Sequence, residues 1–391
     1  MIRKVYLDNA STTFVSSEVL AEMLPCFNSI YGNSNSVHSF GREASAIVDR
    51  ARDRIANAIN ASKSNEIYFT SGGTEADNWA IKGIAHAYSN KGKHIITSAI
   101  EHHAILDSCK QLEEEGFEVT YLPVDKNGLV NLVELLHAIR KDTTLISIIA
   151  VNNEVGTIQN IKAIAKIAHD YGIIFHTDAV QAIGNIKIDV QDMEIDALTI
   201  SAHKIYGPKG VGCLYLKNGI RIEPMIVGGS QEREKRGGTV NVPAVAGFGK
   251  AVEVAVRDMS INQQKLRSIR EYFIKNLNEK IEYISINGHP QQKINNILNV
   301  TFEMVDNESL LMLLDMEGVA VSIASACTSG SNEQSHVLKA MGLDGNAVQS
   351  SIRISFGKNI SRSDIDYAVE AIEKSVAKLR SISALTKAGR K

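Results

Sequence analysis

Short apolar runs alternate with longer amphipathic stretches from about Ser64 to Leu216. Runs typical of buried strands occupy residues 66–70, 94–98, 145–151, 173–176 and 196–200, and the stretches between them predict helices at 76–86, 104–115, 132–139 and 161–171. Strands that alternate with helices predict a mostly parallel sheet with helices on both faces. Such sheets bind ligands at the carboxyl ends of their strands, and polar clusters follow several of the predicted strands here.

The pattern changes beyond Pro243. A long helical stretch is predicted at 244–280, followed by short strands at 283–286, 297–302 and 351–355 and helices at 308–316 and 364–381. This mixture predicts a second, smaller α+β domain. The N-terminal segment, to about Asn60, carries helices of its own, and we expect it to pack on that domain. The boundaries we assign are residues 1–15 with 261–391 for the small domain and 16–260 for the large α/β domain.

Composition narrows the class of protein without identifying it. The chain has 391 residues and a net charge of -2, and this balance gives no indication of a nucleic-acid or membrane partner. The sequence shows neither a signal peptide nor an apolar run of about 20 residues, so we expect a cytoplasmic protein. The cysteines have neither C-x-x-C pairing nor zinc-ligand spacing, so no metal site is expected; they are Cys26, Cys109, Cys213 and Cys327.

The strongest local signal is segment 201–204, Ser-Ala-His-Lys, which follows a predicted strand and leads into a turn rich in glycine and proline. Lys204 then lies at a strand end, where its amine can form a Schiff base with the aldehyde of pyridoxal phosphate (PLP). A lone lysine is far more often a solvated surface residue. The interpretation therefore depends on what the neighbouring strand ends carry.

Two other strand ends carry groups that suit the same cofactor. Asp178 can pair with the protonated pyridine nitrogen of PLP, although a lone aspartate is more often a helix cap. In segment 70–76 a strand turns through Gly72 and Gly73 into a helix, whose N-terminal N–H groups and dipole favour an anion, and Thr74 adds a hydroxyl. A lysine, a carboxylate and an anion site together predict a PLP pocket.

Two further polar segments fit this pocket, although each alone is equally well explained as a polar loop. Segment 101–103, Glu-His-His, offers an imidazole that can stack on the PLP ring and transfer protons near neutral pH. Spacing does not separate His102 from His103. Asn152 and Asn153 end another strand with amides that can hydrogen-bond the cofactor or a substrate carboxylate.

The order of these segments resembles that of the NifS/IscS-type cysteine desulfurases, which are fold-type I PLP enzymes related to class V aminotransferases. The resemblance runs from Tyr6 to about Leu379 and includes Asp8-Asn9-Ala10 and Arg236-Gly237-Gly238-Thr239 besides the segments above. It implies an α/β fold, with a mostly parallel seven-stranded sheet flanked by helices and a smaller α+β domain. The chain departs from the family pattern at residues 32–36 and 332–336, which bears more on the sulfur acceptor than on the chemistry.

The resemblance implies a role for each matched residue. Lys204 would hold PLP, Asp178 its pyridine nitrogen and Gln181 its phenolic oxygen, and His102 would be the stacking histidine. The remaining roles are phosphate contacts from Gly73, Thr74, Ser201 and His203, a contact from Thr239 to the phosphate of the neighbouring subunit, a cofactor and substrate contact from Asn153, and a substrate-carboxylate contact from Arg353. The role of Thr239 implies a homodimer with shared active sites.

Cys327 lies in segment 325–333, which is rich in small polar residues and predicts a loop. One interpretation of a cysteine in such a loop is an exposed thiol that has no function. The desulfurase family carries its persulfide-forming cysteine in a segment of matching sequence, which implies that Cys327 is a nucleophile.

The resulting hypothesis is a PLP-dependent cysteine desulfurase that converts L-cysteine into L-alanine and a persulfide on Cys327. The persulfide sulfur would pass to an acceptor protein, such as an iron–sulfur scaffold or a thiolation enzyme. The enzymatic alternatives are a selenocysteine lyase and a class V aminotransferase, and the latter has no need of a loop thiol. The non-catalytic alternative is a protein with the PLP-enzyme fold that has lost its activity and serves as a scaffold. The presence of both Lys204 and Cys327 argues against it.

Overall fold

The structure, a computed structural model, describes residues 3–323 and 334–382. The strands in these ranges are β1 (Val5–Tyr6), β2 (Ile67–Thr70), β3 (His94–Ser98), β4 (Glu118–Leu122), β5 (Thr143–Ser147), β6 (Ile174–Asp178), β7 (Ala197–Ser201), β8 (Gly212–Leu216), β9 (Ile284–Asn287), β10 (Ile297–Phe302), β11 (Val319–Ala320) and β12 (Ser351–Ser355). Beyond them, three-residue 3-10 turns cover Ser64–Glu66 and Ala202–Lys204.

The helices of the described ranges are α1 (Ser17–Met23), α2 (Pro25–Asn28), α3 (Ser39–Ala58), α4 (Gly73–Asn78), α5 (Ile84–Ala87), α6 (His103–Glu114), α7 (Leu132–Ala138), α8 (Ile161–Asp170), α9 (Gln231–Glu234), α10 (Val242–Arg257), α11 (Met259–Lys280), α12 (Asn307–Met316), α13 (His336–Ala340), α14 (Gly345–Gln349) and α15 (Arg362–Ile382). A π-helical turn, Trp79–Gly83, joins α4 to α5. None of these helices has the length and apolar character needed to cross a bilayer.

A seven-stranded sheet in the order β2-β8-β7-β6-β5-β3-β4 forms the centre of the large domain. Its strands from β7 to β4 pair in parallel, whereas β8 runs antiparallel to both of its neighbours. This confirms the predicted mostly parallel sheet. The sequence analysis did not predict β4 or β8: β4 is an edge strand with little burial, and β8 is a short run between turns.

Alternate residues of the central strands serve two different hydrophobic cores, as the two-residue period of a strand requires. Leu145 and Ile174 pack with α4 and α6 on one face, whereas Ile146 and Phe175 pack with α3, α8 and α10 on the other. The sheet is therefore covered by helices on both faces. This packing explains why every residue of β3, β5, β6 and β7 is buried, whereas a sheet with one face in water would alternate between buried and exposed residues.

The second unit is smaller and mostly antiparallel. Its sheet has the order β12-β10-β9, and β1 pairs in parallel with β11 beside it. A separate core packs α11, α12 and α15 against these strands and includes Val5 and Leu7 from the N-terminus. The predicted strand at 297–302 and the predicted strand at 351–355 have the ranges of β10 and β12.

Two expectations about packing need correction. Only the first residues of the N-terminal segment join the small core; α1 and α3 pack against α10, and their apolar faces belong to the core of the large sheet. The expected packing of the segment to Asn60 on the small domain is therefore wrong for residues 17–58. The single helix predicted at 244–280 is broken at Asp258, because α10 packs on α3 whereas α11 packs on α15 of the other core.

The outer edge of β2 is closed by side chains instead of a further strand. Ile67 and Phe69 direct their backbone groups away from β8. The Ile67 carbonyl accepts hydrogen bonds from Arg52 and Arg233, and the Phe69 N–H donates to the Glu232 carboxylate at 2.9 Å. Arg52 and Glu232 form a bidentate ion pair, at 2.7 and 2.9 Å, that is almost fully buried. The pair protects an edge that would otherwise present unpaired groups.

We expect Glu232→Gln to lower the free energy of unfolding of the apoprotein by about 3 kcal/mol, because the substitution leaves the buried Arg52 guanidinium without a countercharge. Urea unfolding followed by circular dichroism measures this change. Glu18→Gln, which breaks the exposed pair between Glu18 and Arg257, is the matched control and should have a much smaller effect. Equal effects of the two substitutions would contradict the stabilising role of the buried pair.

Candidate active site

A cavity of about 350 Å³ lies at the carboxyl ends of the parallel strands. It brings together ten residues that the sequence analysis singled out: Gly73, Thr74, His102, Asn153, Asp178, Gln181, Ser201, His203, Lys204 and Arg353. These residues come from separate segments spread over about 280 positions of the chain. Their joint presence around one cavity is the main structural result, and their individual roles stay predictions.

Lys204 ends the 3-10 turn that follows β7, and its side chain reaches into the cavity. Its Nζ donates to the backbone carbonyls of Ala10 at 2.5 Å and Ser11 at 2.7 Å. The N-terminal segment therefore orients the lysine amine through carbonyl oxygens. This contact explains physically why the Asp8-Asn9-Ala10 motif, far from Lys204 in sequence, belongs to the same site.

Asp178 is the last residue of β6 and lies next to Thr199 of β7 in the sheet register. One of its carboxylate oxygens accepts the N–H of Val180 at 2.8 Å. Burial raises the pKa of Asp178 to about 6, although the Val180 N–H and the Lys204 charge act in the opposite direction. A buried carboxylate of this kind gains a favourable ion pair when a protonated ring nitrogen is placed against it.

The anion site is formed where β2 turns into α4. Gly73 and Thr74 are the first residues of α4, and Ser201 and His203 face them from the end of β7. A side chain at Gly73 would meet Val180 at 3.0 Å and Ser201 at 3.4 Å, so a larger residue would crowd the cradle. The buried Ser201 hydroxyl has no hydrogen-bond partner among the described residues, as expected for a group that binds a ligand.

His102 forms the N-cap of α6, and its Nδ1 accepts the N–H of Ala104 at 3.1 Å. Burial, followed by the charge of Lys204, lowers the pKa of His102 to about 4. The imidazole is therefore neutral at pH 7 with its hydrogen on Nε2, and in this state it is a poorer proton carrier near neutral pH than expected from the sequence. His103 is not among the residues that line the cavity.

Arg353 extends from the central part of β12 in the small domain into the cavity. Its guanidinium donates to the carbonyl of Asn153 at 3.0 Å, to the hydroxyl of Ser11 at 2.7 Å and to the carboxylate of Asp8 at 3.2 Å. The Asp8 carboxylate compensates part of its charge. The Nε is buried and has no hydrogen-bond partner in the described part of the chain. Because Arg353 lines the cavity, its guanidinium is placed to meet a carboxylate ligand there.

Two predicted site residues are not part of this cavity. Thr239 is exposed, lies between α9 and α10, and does not line the cavity of its own chain. Cys327 falls in residues 324–333, outside the described residues. Both assignments therefore stay predictions.

Sequence analysis missed Asp77, one helical turn after Gly73. Asp77 lines the cavity, is fully buried, and has one carboxylate oxygen without a hydrogen-bond partner among the described residues. Burial, with the nearby Asp178 carboxylate, raises its pKa well above the ordinary value. His176 lies 3.9 Å from it. The only sequence signal was a carboxylate on the inner face of a short helix, which is too common to single out.

These groups fit PLP, and the fit rests on the chemistry of the donors. A lysine amine suits the aldehyde, a buried carboxylate suits the ring nitrogen, and a helix N-terminus with an unsatisfied serine hydroxyl suits the phosphate. Each donor type faces the same cavity, and each is placed at a strand or helix end. A cavity of this size also suits a small aromatic cofactor with an amino-acid substrate.

Comparison with known proteins defines the class. The family described as aminotransferase class-V matches residues 5–368. The chain therefore belongs to the class-V aminotransferase family, whose members are PLP-dependent enzymes with the fold-type I architecture described above. This result confirms the fold and the cofactor class that the sequence predicted.

The similar proteins within this family are more specific. The chain is 50% identical over 384 residues to a cysteine desulfurase IscS from Methanosarcina thermophila, covering 98% of this chain and 95% of the relative. It is 49% identical over 383 residues to a cysteine desulfurase IscS from Dictyoglomus turgidum, covering 98% and 97%. A solved NifS-like protein superposes with a TM-score of 0.91 at 38% identity, covering 96% of this chain and all of that one. The predicted resemblance to NifS/IscS-type enzymes is confirmed.

Glu101, directly before His102, makes the stability of the folded protein depend on pH. It is fully buried, and burial raises its pKa to about 8, although hydrogen bonds from Ser98 and the Ile149 N–H act against the increase. Since the folded-state pKa exceeds the unfolded one, its contribution to stability is complete below about pH 4.5 and is lost as the pH rises through about 8. We expect Glu101→Gln to flatten this loss in the apoprotein.

The measurement compares thermal unfolding of the two apoproteins at pH 5.5 and pH 8.5. The wild-type protein should lose more stability between these pH values than the Glu101→Gln variant does. Glu114→Gln, an exposed position on the same α6, is the control and should keep the wild-type difference. An unchanged pH dependence in Glu101→Gln would show that the carboxyl is ionised throughout this range.

Proposed function

We propose that the protein is a cysteine desulfurase, which removes the sulfur of L-cysteine, releases L-alanine and carries the sulfur as a persulfide on Cys327. The observation that supports this most strongly is the cavity that joins Lys204, Asp178 and the phosphate cradle with the guanidinium of Arg353. The names of the similar proteins support the same activity. The overall reaction is balanced, because L-cysteine and the Cys327 thiol become L-alanine and the Cys327 persulfide.

In this proposal Arg353 and Asn153 bind the substrate carboxylate and orient the amino acid over the cavity. Lys204 holds the cofactor and, once released, takes the proton from the substrate Cα and returns it during product formation. Bound PLP supplies the electron sink that makes loss of the Cα proton and cleavage of the carbon–sulfur bond accessible. Asp178 keeps the ring nitrogen protonated, and neutral His102 is the stacking group, while Lys204 is the main proton carrier.

Cys327 is the proposed nucleophile. Its thiolate attacks the substrate sulfur, the carbon–sulfur bond breaks, and the electron pair of that bond stays on the substrate carbon until protonation. The sulfur then passes to an acceptor protein in the cytoplasm, an iron–sulfur scaffold or a thiolation enzyme. The other cysteines, Cys26, Cys109 and Cys213, are buried, and burial raises the pKa of each thiol, so none competes as a nucleophile.

We expect Cys327→Ala to retain the visible absorbance of bound PLP and to lose persulfide formation with L-cysteine. Mass spectrometry of the alkylated protein after one turnover measures the persulfide, and quantified L-alanine measures the reaction. Cys26→Ala is the matched control and should keep the wild-type persulfide yield. Production of sulfide and alanine by Cys327→Ala at the wild-type rate would exclude Cys327 as the nucleophile. Another group would then have to attack the substrate sulfur.

The alternative of a selenocysteine lyase has a direct test. A lyase specialised for selenium would turn over L-selenocysteine with a much higher kcat/KM than L-cysteine and would act on L-cysteine only weakly. The proposed desulfurase should act on L-cysteine with Cys327-dependent kinetics. An aminotransferase would instead convert a keto acid into an amino acid without any requirement for Cys327.

The proposal includes a homodimer with shared active sites. Thr239 is exposed and outside the cavity of its own chain, which is compatible with a contact to the phosphate in a neighbouring subunit. Large apolar side chains are exposed on the N-terminal segment and near α9, including Phe27, Val37 and Val227. Such side chains are typical of a subunit interface.

Mixed dimers test the shared site. Thr239→Ala homodimers should bind PLP about tenfold more weakly, because one hydrogen bond to a charged phosphate is lost. A mixed dimer of a Lys204→Ala chain with a Thr239→Ala chain has one site with Lys204 from one chain and Thr239 from the other. That site should bind PLP with wild-type affinity, as measured by titration of the visible absorbance.

The control is a mixed dimer in which one chain carries both substitutions and the other is wild type. Its only lysine-bearing site then lacks the threonine and should bind PLP weakly. Weak binding in both mixed dimers would contradict a contribution of Thr239 in trans.

A further inference from the structure

Glu75 places a carboxylate in the first turn of α4, beside the predicted phosphate cradle. Its side chain is 8% exposed, and one oxygen accepts the backbone N–H of Ser71 at 2.7 Å. Glu75 lines an open recess together with Thr74, Ser201 and His203, which were predicted to contact the phosphate. The carboxylate therefore closes the glycine turn by binding one of its N–H groups.

The negative charge of Glu75 opposes the binding of a phosphate, which is the function predicted for this recess. Burial alone would raise its pKa, but the ion pair with Arg236 and the hydrogen bonds from Ser71 lower the pKa below the ordinary value. The carboxylate is consequently ionised at neutral pH. A phosphate dianion in the same recess would meet a like charge, which weakens binding unless the carboxylate is compensated.

Arg236 provides this compensation. Its guanidinium binds both oxygens of Glu75, at 2.8 and 3.0 Å, in the two-bond geometry that a lysine does not reproduce. The side chain of Arg236 is 21% exposed, so the pair is only partly screened by solvent. The two residues are 161 positions apart in the sequence, and only the fold brings them together.

The backbone that carries Arg236 is firmly held. Three consecutive residues, Glu232 to Glu234, have left-handed φ values of 45°, 58° and 64°, a conformation that costs non-glycine residues about 1–2 kcal/mol each. The buried pair between Glu232 and Arg52 holds this turn against the edge of β2. The N–H of Gly237, next to Arg236, donates to the carbonyl of Ile226 at 2.9 Å. Arg236 is thus presented to Glu75 from a fixed turn.

We propose that Arg236 is a positioning residue for the phosphate end of the cofactor site, which neutralises Glu75 and holds its carboxylate as a cap on Ser71. The N-terminus of α4 is then available to a doubly charged phosphate. The proposal rests on PLP dependence and is independent of the amino-acid substrate. It predicts that Arg236 contributes to binding of the phosphate and has little effect on the pyridine ring.

The test compares two ligands that differ only in the phosphate. PLP and pyridoxal are titrated into the apoproteins of wild type, Arg236→Gln, Arg236→Lys and the double variant Glu75→Gln/Arg236→Gln, and the visible absorbance of the lysine-bound ligand gives each Kd. Arg236→Gln should bind PLP about tenfold more weakly because an uncompensated carboxylate then faces the phosphate, with the pyridoxal Kd unchanged. No substrate is present, so failure of the proposed sulfur chemistry would leave this result intact.

The double variant gives the sharpest outcome. Glutamine at position 75 keeps an oxygen for the Ser71 N–H and removes the charge, so the PLP Kd should return to within about threefold of wild type, a non-additivity that double-mutant comparison isolates. Arg236→Lys should lose less affinity than Arg236→Gln, since it keeps the charge but loses the two-bond geometry. If Arg236→Gln does not fold, Arg236→Lys and the double variant are each compared with wild type: Arg236→Lys should lose PLP affinity and keep its pyridoxal affinity, and the double variant should keep both.

The control is Arg257→Gln, which removes another two-bonded arginine–glutamate pair, exposed and outside the residues that line the cavity. Its PLP and pyridoxal affinities should equal those of wild type. An equal loss of PLP and pyridoxal affinity in Arg236→Gln would overturn the proposal and indicate a general structural role. A double variant as weak as Arg236→Gln would overturn it as well.

Discussion

The parallel pairing of β6 with β7 is the constraint on which the site depends. The register places Asp178 beside Thr199, so the chain that continues from β7 through Ser201 to Lys204 leaves the sheet at the same edge as Asp178. A carboxylate and a lysine amine thereby face one cavity, although 26 positions separate them. Both strands are buried on two faces, and a shift of one residue in register would turn the side chains of the shifted strand to the opposite face of the sheet.

Other elements complete this edge from a distance. The N-terminal segment supplies the Ala10 and Ser11 carbonyls that orient Lys204, and β12 of the small domain supplies Arg353. Asp8 contacts the Arg353 guanidinium, so the small domain and the N-terminus meet at the cavity itself. The site is therefore positioned by polar contacts between two units that have separate hydrophobic cores. Its geometry depends on how these two units are held together.

Burial sets the electrostatics of the cavity. Asp77, Glu101 and Asp178 have raised pKa values because they are removed from water, whereas the pKa values of His102 and His203 are lowered for the same reason. Burial thus favours the neutral forms of these five groups, which line the cavity or, in the case of Glu101, precede a residue that lines it. Glu75 differs from the three carboxyl groups, because Arg236 keeps its carboxylate ionised, and it lies where the phosphate is expected.

The sequence by itself determined the fold class and most of the cavity. Alternating apolar and amphipathic stretches predicted the parallel sheet. Motifs at strand ends, together with the family resemblance, singled out Lys204, Asp178 and Gly73, because each of these residues lies in a short segment whose sequence alone is informative. The tertiary structure decided what long-range packing controls: the antiparallel β8, the break at Asp258, the buried Asp77 and the pairing of Arg236 with Glu75. These contacts join positions far apart in the chain, and no periodicity or spacing encodes which distant side chains meet.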